Sequence, residues 1–412
     1  MEEFIKKRIW LVTELFYPEE DATAYIFTKI ANYFTKKFDV NVICGPNSYD
    51  GSNKKIKYET ELNECVHIYR NNIIKLDKNN LFQRTFRFLL LSFQLFNTLR
   101  KKIIKGDVVL LATNPAPLIL LLGLMKHFKV FELHILIHDV FPENTIAAGI
   151  FKKKSNITYR FIKLIIDYGY CQADHLIVLG KDMKELVQNK IRNKKKEIVI
   201  SVIPNWGDTE KITPVKRSDS LIKKWGMEDK IILQYAGNIG RVQGLKEVVE
   251  AFHLGNNPYT QLVIFGSGVY LSVINKFIKE NNIQNISLGG IYSRQEQKEV
   301  LNACDIAIVS LSKGMYGLAV PSKTYNILAA GKPILFIGES GSEISQLVIK
   351  EDIGWSLDIS VKQGLVDFFS HLTLNCFDEL SPKGAKARSL SEKKYSESIV
   401  LFDLLNSIKN IS

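Results

Sequence analysis

The sequence lacks the features of an exported or membrane-spanning protein. Its 412 residues contain no apolar run of the roughly 18 residues that a transmembrane helix needs. The N-terminus, MEEFIKKRIWLVTELF, has charged residues where a signal peptide has its apolar core. The five cysteines are odd in number and lie far apart, mostly in apolar segments, so we expect reduced thiols and a cytoplasmic location.

Low-complexity tracts and repeats of solenoid period are also missing. Hydrophobic residues make up 46% of the chain and charged residues 24%, a composition that excludes a disordered protein. Since a domain usually holds about 100–200 residues, the length predicts two domains. Each of them is large enough to bury a core of its own.

Acidic residues are in the minority, 43 against 55 lysines and arginines, which gives a formal net charge of +12. Such a surplus favours an anionic partner: a nucleic acid, a sugar nucleotide or an acidic membrane surface. The basic residues cluster in the first half of the chain, where no nucleic-acid motif and no zinc-ligand spacing accompanies them. We therefore expect no nucleic-acid partner.

Short buried strands alternate with amphipathic helices in two successive series. This pattern predicts an α/β protein with two Rossmann-like, doubly wound parallel-sheet domains that face each other across a cleft. The predicted domains are residues 1–206 and 207–383, and a C-terminal helix at 384–412 is a candidate for crossing back to the first domain. Such sheets bind ligands at the carboxyl ends of their strands, so we expect the site in the cleft.

The segment AVPSKTYNILAAGKP, residues 319–333, has the ordered features of an anion site. Pro321 and Ser322 are typical of a helix start, whose free N–H groups bind phosphate well. Lys323 falls in the first helical turn, where a cation opposes the helix dipole unless an anion is bound as well. A capped surface helix with a solvated lysine explains this segment equally well when it is taken alone.

Glycine-rich turns follow three predicted strands of the second domain: YAGNIGRVQG at 235–244, FGSG at 265–268 and LGGIY at 288–292. Glycine lets the backbone approach a charged ligand closely, although a simple chain reversal explains each turn taken singly. The first predicted strand of the chain, in contrast, is followed by ELFYPEED, which has no glycine. The absence of a dinucleotide fingerprint there argues against a hydride-transferring enzyme.

Eight motifs follow one another along nearly the entire chain: NPAPL, HDVFPE, ADHLIVLGKDM, VIPNWGD, YAGNIGRVQGL, FGSG, LGGIYSRQEQKEVLNACDIAIVSL and VPSKTYNILAAGKP. As an ordered set they resemble the retaining GT-B glycosyltransferases of family four. The resemblance is greatest to the bacterial branch that includes fucosamine and colanic-acid fucose transferases. It implies transfer of a hexosyl or N-acetylhexosaminyl group, with retention, from a nucleoside-diphosphate sugar to an undecaprenyl-diphosphate-linked glycan of O-antigen or capsule synthesis. A UDP-sugar is the expected donor.

The resemblance also implies roles for individual residues. His138, at the end of a first-domain strand, contacts the donor sugar near the reacting carbon, and Lys323 stabilises the diphosphate leaving group. Gly290 and Ile291 hold the base, and the helix start from Pro321 to Asn326 holds ribose and diphosphate. The other donor-side candidates lie in the glycine-rich turns and at the helix start: Gly237, Asn238, Gly240, Arg241, Gln243, Gly266 and Ser322.

The chain departs from the family pattern at the donor site. Members commonly carry two glutamates eight residues apart, and here those positions hold Leu318 and Asn326. The usual arginine and lysine of the glycine-rich turn are replaced by Asn238 and Gln243. Two alternatives therefore stay open, a non-catalytic nucleotide-binding scaffold of a polysaccharide assembly complex and a GT-B sugar-nucleotide epimerase.

Candidates on the acceptor side are Glu20 and Asp21, in the loop after the first strand, and Glu143 in HDVFPE. Solvated loop acids and a helix cap are the plainer explanations of these three. No pair of aspartates of the DxD type lies in a suitable loop, so we expect no metal and no other cofactor. The segment from Leu81 to Lys105 combines apolar and basic residues, which suits either an anionic membrane surface or a core helix with a basic end.

Overall fold

The computed structural model describes residues 6–19, 21–46, 61–72, 81–192 and 197–409, of which 81–85 are described by their backbone alone. In this part of the chain two parallel sheets form, and each has helices on both faces. The predicted fold class, two doubly wound parallel-sheet domains, is confirmed.

The first sheet has seven strands among the described residues, in the order β3-β2-β1-β4-β5-β6-β7. The order reverses between β1 and β4, where adjacent crossovers leave in opposite directions and open a crevice at the carboxyl edge. The strands are β1 (Arg8–Val12), β2 (Asp39–Cys44), β3 (Val66–Arg70), β4 (Val108–Ala112), β5 (Glu132–Ile137), β6 (His175–Val178) and β7 (Val199–Val202). The helices are α1 (Ala22–Phe34), α2 (Leu81–Lys102), α3 (Pro117–Met125), α4 (Asn144–Ala147), α5 (Ile157–Tyr170) and α6 (Lys181–Lys190).

The second sheet has the order β10-β9-β8-β11-β12-β13, with every described pairing parallel. Its strands are β8 (Ile231–Ala236), β9 (Thr260–Phe265), β10 (Ile286–Gly290), β11 (Ile306–Ser310), β12 (Ile334–Gly338) and β13 (Gly354–Asp358). The helices are α7 (Leu221–Lys224), α8 (Leu245–Gly255), α9 (Leu271–Glu280), α10 (Gln297–Asn302), α11 (Lys323–Ala329), α12 (Glu343–Lys350) and α13 (Lys362–His371). Strands β4 (VVLLA) and β12 (ILFIG) are buried along their whole length. Both faces of such a strand are covered, which explains why its sequence is a continuous apolar run.

Two terminal helices complete the molecule, α14 (Phe377–Lys394) and α15 (Glu397–Lys409). Helix α14 packs on α11 of the second domain, whereas α15 contacts α1 of the first domain. An ion pair of 3.0 Å between Lys29 and Glu397 joins α1 to α15. The chain therefore returns to the first domain between α14 and α15, later than the boundary at residue 384 that the sequence predicts.

The chain crosses between the domains at two neighbouring places. Gly207, on the first crossing, forms a parallel bridge with Ser396 on the second, and its N–H donates to the carbonyl of Tyr395 at 2.9 Å. A Cβ at position 207 would lie 2.3 Å from the carbonyl oxygen of Tyr325, so only glycine fits there. The two crossings thus form one compact hinge against α11.

None of the described helices combines the length and the hydrophobicity needed to cross a bilayer.

Candidate active site

A cleft of about 810 Å³ lies between the carboxyl edges of the two sheets. His138 and Asp139, which follow β5, line it from the first domain. Gly237 after β8, Gly266 after β9 and Lys323 at the start of α11 line it from the second. The site thus lies where doubly wound sheets generally bind ligands.

Closely packed backbone forms the second-domain floor of the cleft. Gly237 and Gly266 have φ of 146° and 128°, a region that side chains other than glycine rarely adopt. A Cβ on Gly266 would lie 1.9 Å from the carbonyl oxygen of Gly237, and the Gly266 N–H donates to the Gly290 carbonyl at 2.7 Å. The glycine at position 266 is therefore required by the contact of its loop with the Gly237 loop.

Lys323 extends its side chain over this floor. Its Nζ lies 3.4 Å from the centroid of the Tyr235 ring, and a Cβ on Gly237 would also lie 3.4 Å from it. The Nζ is buried and has no hydrogen-bond partner in the part of the chain that the structure describes. Burial lowers the pKa of Lys323 from 10.5 to about 7. An anion beside this ammonium group would satisfy its donors and restore its charge.

His138 is the opposing polar group of the first domain. Its Nε2 is buried without a hydrogen-bond partner among the described residues, and its ring meets the edge of Phe27 with centroids 6.2 Å apart. Burial lowers the pKa of His138 to about 4, so the imidazole is neutral near pH 7. Burial also raises the pKa of the neighbouring Asp139 to about 6.

The end of β5 is fixed directly to the second domain. Asp139 forms an antiparallel bridge with Ala319, and the Val140 N–H donates to the carbonyl of Leu318 at 3.0 Å. Four residues after Ala319 the chain reaches Lys323. These backbone bonds therefore determine how the two candidate catalytic side chains are placed relative to each other.

The cleft brings together most of the residues that the sequence predicts. Those that line it are His138, Asp21, Gly237, Asn238, Gln243, Gly266, Ile291, Pro321, Ser322, Lys323 and Asn326. Four predicted residues do not line it: Gly240, Arg241, Gly290 and Glu143. Glu20 lies outside the described residues.

Three of these four residues lie in the glycine-rich turns of the second domain. Arg241 is exposed, and a Cβ added at Gly240 would meet the side chains of Asn238 and Gln243. Gly290 has φ of 82°. Its carbonyl accepts the hydrogen bond from the Gly266 N–H and so supports the Gly266 loop.

Glu143 is engaged away from the cleft. Its Oε2 accepts from the Nζ of Lys190 at 2.7 Å, and its Oε1 accepts from the Nζ of Lys163 at 2.5 Å. The Lys190 side chain is only 2% exposed, and Asp167 is its second carboxylate partner. A buried lysine needs such partners. This explains why the Glu143 side chain points towards Lys190 and not towards a sugar acceptor in the cleft.

Asn326 lines the cleft, but its side-chain amide already makes a hydrogen bond within the protein. The Oδ1 atom accepts from the backbone N–H of Asp208 at 2.9 Å, which ties α11 to the interdomain crossing. The position that usually holds a ribose-binding glutamate in the resembling family here also supports the hinge.

Sequence reasoning missed a contact that spans the cleft. The guanidinium of Arg294, in the loop after β10, lies 3.8 Å from the centroid of the Tyr25 ring on α1. The Tyr25 hydroxyl lies 3.4 Å from carboxylate oxygens of both Asp208 and Glu397, and burial raises the pKa of Tyr25. Arg294 belongs to the motif LGGIYSRQEQ, the signal that pointed to this loop, but its partner is far away in sequence.

Within the described ranges, no three His, Cys, Asp or Glu side chains gather in a way that would hold a metal ion. The expectation of a metal-independent reaction stays a prediction.

The architecture matches that of a known class. It is similar to the solved structure of HepE from Anabaena in complex with UDP, with a TM-score of 0.68 over 98% of this chain and 100% of that chain, at 10% identity. At this identity the likeness concerns the fold alone. The two facing parallel-sheet domains define the GT-B class.

Sequence comparison narrows the class to a family. Residues 217–365 match the family model described as "Glycosyl transferases group 1". The chain is 32% identical over 397 residues, 96% of each protein, to "Probable glycosyltransferase WbjE" of Pseudomonas aeruginosa. It is 29% identical over 147 residues, 35% of this chain and 36% of the other, to WcaI of Escherichia coli K12, named for colanic acid biosynthesis. The chain belongs to the group 1 glycosyltransferase family, and the predicted enzyme class is confirmed.

Proposed function

We propose that this glycosyltransferase moves a hexosyl or N-acetylhexosaminyl group from a nucleoside-diphosphate sugar, a UDP-sugar in the first place, to an undecaprenyl-diphosphate-linked glycan. The product belongs to O-antigen or capsule-type polysaccharide, and the anomeric configuration is retained. The observation that carries the proposal is the buried Nζ of Lys323, which lies over the glycine floor without a partner among the described residues. The HepE structure of the same fold was solved in complex with UDP, which supports the choice of nucleotide.

The proposed chemistry follows from the two buried side chains. Loss of the sugar leaves negative charge on the diphosphate, and a lysine ammonium fixed in advance stabilises that charge without reorganisation. The neutral imidazole of His138 offers one donor or acceptor at Nε2, which suits a hydroxyl of the donor sugar. With a protein cation in this place, we propose that the reaction needs neither a metal nor another cofactor.

The proposed polysaccharide branch is that of the fucosamine and colanic-acid fucose transferases. The name of WcaI, which refers to colanic acid biosynthesis, supports this choice. So does the order of motifs from HDVFPE to VPSKTYNILAAGKP, in which Asn326 replaces the usual glutamate.

We further propose a peripheral position on the cytoplasmic face of an anionic membrane, through the surface that begins at Leu81 and ends at Lys105. Three apolar residues of α2 are each more than half exposed there: Phe86, Leu89 and Phe93. Helix α5 adds a second exposed stripe, with Ile157, Phe161 and Leu164 at helical spacing. Residues 78–106 and 144–166 contain no acidic residue, whereas both include lysines and arginines. Apolar side chains among cations suit an anionic bilayer.

Flotation with vesicles of anionic phospholipid tests the membrane proposal. We expect the wild-type protein to float with anionic and not with neutral vesicles, and Phe161→Ser to weaken flotation. Phe402→Ser is the matched control, because Phe402 is an exposed phenylalanine on α15, at 55% against 63% for Phe161. No affinity of the wild type for anionic lipid would contradict the proposal.

Thermal stabilisation by UDP, GDP, dTDP and NAD, first without and then with added metal, tests the nucleotide. We expect UDP to raise the melting temperature without metal. Incubation with UDP-sugars and a lipid-linked acceptor then separates the activities. A new glycolipid supports the transferase, an isomerised sugar nucleotide without acceptor indicates an epimerase, and tight nucleotide binding without turnover indicates a scaffold. The commitment of Asn326 to the hinge is the observation that favours the scaffold.

A further inference from the structure

Helix α6 of the first domain and α12 of the second meet with their N-termini at the edge of the cleft. Neither helix is capped by the residue that precedes it, because Gly180 has no side chain and Ser342 makes no cap hydrogen bond. The caps are exchanged between the domains instead. The Lys181 N–H donates to Glu343 Oε2 at 2.6 Å, and the Glu343 N–H donates to Asp182 Oδ2 at 3.0 Å.

This exchange requires a close fit. Asp182 is 4% exposed, and its Oδ1 also accepts from the Met183 N–H at 2.7 Å. A Cβ at Gly180 would lie 2.8 Å from both Cβ and Cγ of Glu343. If the domains separated, each helix would lose a partner for its free N–H groups. The contact therefore exists only while the domains are closed.

The contact between α6 and α12 is connected through the backbone to the candidate catalytic residues. Gly317, with φ of 67°, lies against α6, where a Cβ would be 2.8 Å from the carbonyl oxygen of Asp182. The residues that follow, Leu318 and Ala319, bond to the end of β5 next to His138, and the chain then reaches Lys323. The contact of α6 with α12 thus fixes the position of one side of the cleft relative to the other.

We propose that Asp182 and Glu343 are positioning residues for sugar transfer, which keep the domains closed by exchanging helix caps. Neither residue lines the cleft, so they act on the reaction by fixing the distance between the first-domain and second-domain groups. This inference rests on the proposed transferase function. Without the exchange, a larger fraction of the protein is open, and the apparent affinity for the donor falls by that fraction.

Removal of one partner gives the direct test. We expect Glu343→Ala to have a larger radius of gyration than the wild type in small-angle X-ray scattering. A saturating amount of the UDP-sugar that turns over should restore the wild-type value, because its nucleotide binds the second domain and its sugar contacts His138 of the first. We expect its Kd for that UDP-sugar to rise on the order of tenfold, the scale of losing one or two helix caps. Glu343→Gln keeps an acceptor oxygen at the same place and should recover most of the affinity. Glu185→Ala is the control, because Glu185 is an exposed carboxylate on α6.

A second variant approaches the contact from the other helix. Gly180→Val inserts a side chain where Glu343 packs, and we expect the same expansion and the same loss of affinity. In turnover the donor KM should rise while kcat at saturating donor stays near wild type, because bound donor closes the domains again. A merely structural role would lower the melting temperature without this split.

Unchanged scattering and unchanged UDP-sugar affinity in both Glu343→Ala and Gly180→Val would overturn the inference, as would an equal effect in Glu185→Ala. Failure of the wild type to bind UDP would refute the proposed donor and leave the scattering of the ligand-free variants to decide the cap exchange. The two proposals therefore fail in distinguishable ways.

Discussion

The protonation of Lys323 gives the sharpest prediction. Burial lowers its pKa from 10.5 to about 7, which corresponds to roughly 5 kcal/mol against the charged form at about 1.4 kcal/mol per pH unit. A diphosphate beside Nζ opposes that shift, so its binding above pH 7 takes up a proton. We therefore expect the affinity for UDP to fall as the pH rises from 7 to 9.

The size of the effect follows from the ionised fraction. With a pKa of about 7, the protonated fraction of Lys323 drops from about one half at pH 7 to about one hundredth at pH 9. The affinity then decreases by up to roughly fifty-fold across that range. His138, with a pKa of about 4, is neutral there, and Asp139, with a pKa of about 6, is mostly ionised. The second phosphate ionisation of UDP, near pH 6, is also largely complete.

The stability of the ligand-free protein should change in the opposite direction. Between pH 7 and 10.5 the unfolded chain keeps the lysine proton that the folded protein has lost. Stability rises with pH wherever the unfolded state binds more protons. The contribution of Lys323 to the free energy of unfolding therefore increases over this window.

Isothermal titration calorimetry with UDP at several pH values, in buffers of different ionisation enthalpy, measures both affinity and proton uptake. Lys323→Met keeps the length of the side chain and removes the ammonium. We expect it to weaken UDP binding at pH 7 by about 1.5–3 kcal/mol, the value of a hydrogen bond to a charged group, and to abolish the pH slope. Uridine, which has no phosphate, should lose much less affinity.

Lys313→Met serves as the control, since Lys313 is exposed in the loop before α11. The reasoning is refuted if the affinity of the wild type for UDP does not vary between pH 7 and 9. It is equally refuted if Lys323→Met keeps the wild-type slope, or loses affinity for uridine and UDP alike.

Three further substitutions test other parts of the site. His138→Ala should lower kcat by about 10²-fold, the scale of one lost electrostatic contact in the transition state, with UDP affinity nearly unchanged in calorimetry. Gly266→Ala should abolish UDP binding and lower the melting temperature, because its Cβ meets the facing carbonyl at 1.9 Å, whereas Gly364→Ala meets only an ordinary contact at 3.5 Å and should be tolerated. Glu143→Ala should cost roughly 1.5–3 kcal/mol in urea unfolding without changing the acceptor KM, since it leaves the buried Lys190 with Asp167 as its remaining carboxylate partner.

The sheets were predictable because parallel strands are buried on both faces. Segments such as VVLLA and ILFIG have one interpretation in a β–α series, and a glycine at the carboxyl end of a strand then indicates a ligand site. Gly266 satisfies this rule for a reason visible only in the structure, namely that its loop contacts the backbone of Gly237.

Whether a given polar side chain lines the cleft was harder to predict. Arg241 and Gln243 share one turn, yet only Gln243 lines the cleft. A loop has no periodic pattern that would indicate which of the two does so. The sequence left two interpretations of Glu143, an acceptor contact and a helix cap. The structure instead pairs its carboxylate with Lys190, which lies 47 residues away, and shows no cap hydrogen bond from it.

Contacts between the domains had no local signal at all. Tyr25 and Arg294 meet across the cleft, and Asp182 and Glu343 exchange caps over a separation of 161 residues. Each residue is ordinary in its own segment. Only the relative placement of the two sheets gives them partners, and no pattern within one segment encodes that placement.

The return of α15 to the first domain has a consequence for how the protein is made. Val400, Leu404 and Ile408 belong to the same buried cluster as the first-domain strands. A ribosome synthesises the entire second domain before these side chains emerge. During that time α1 has no cover from α15, and its apolar contact surface is available to chaperones or to other nascent chains. The first domain, although it is translated first, is thus the last to be completed.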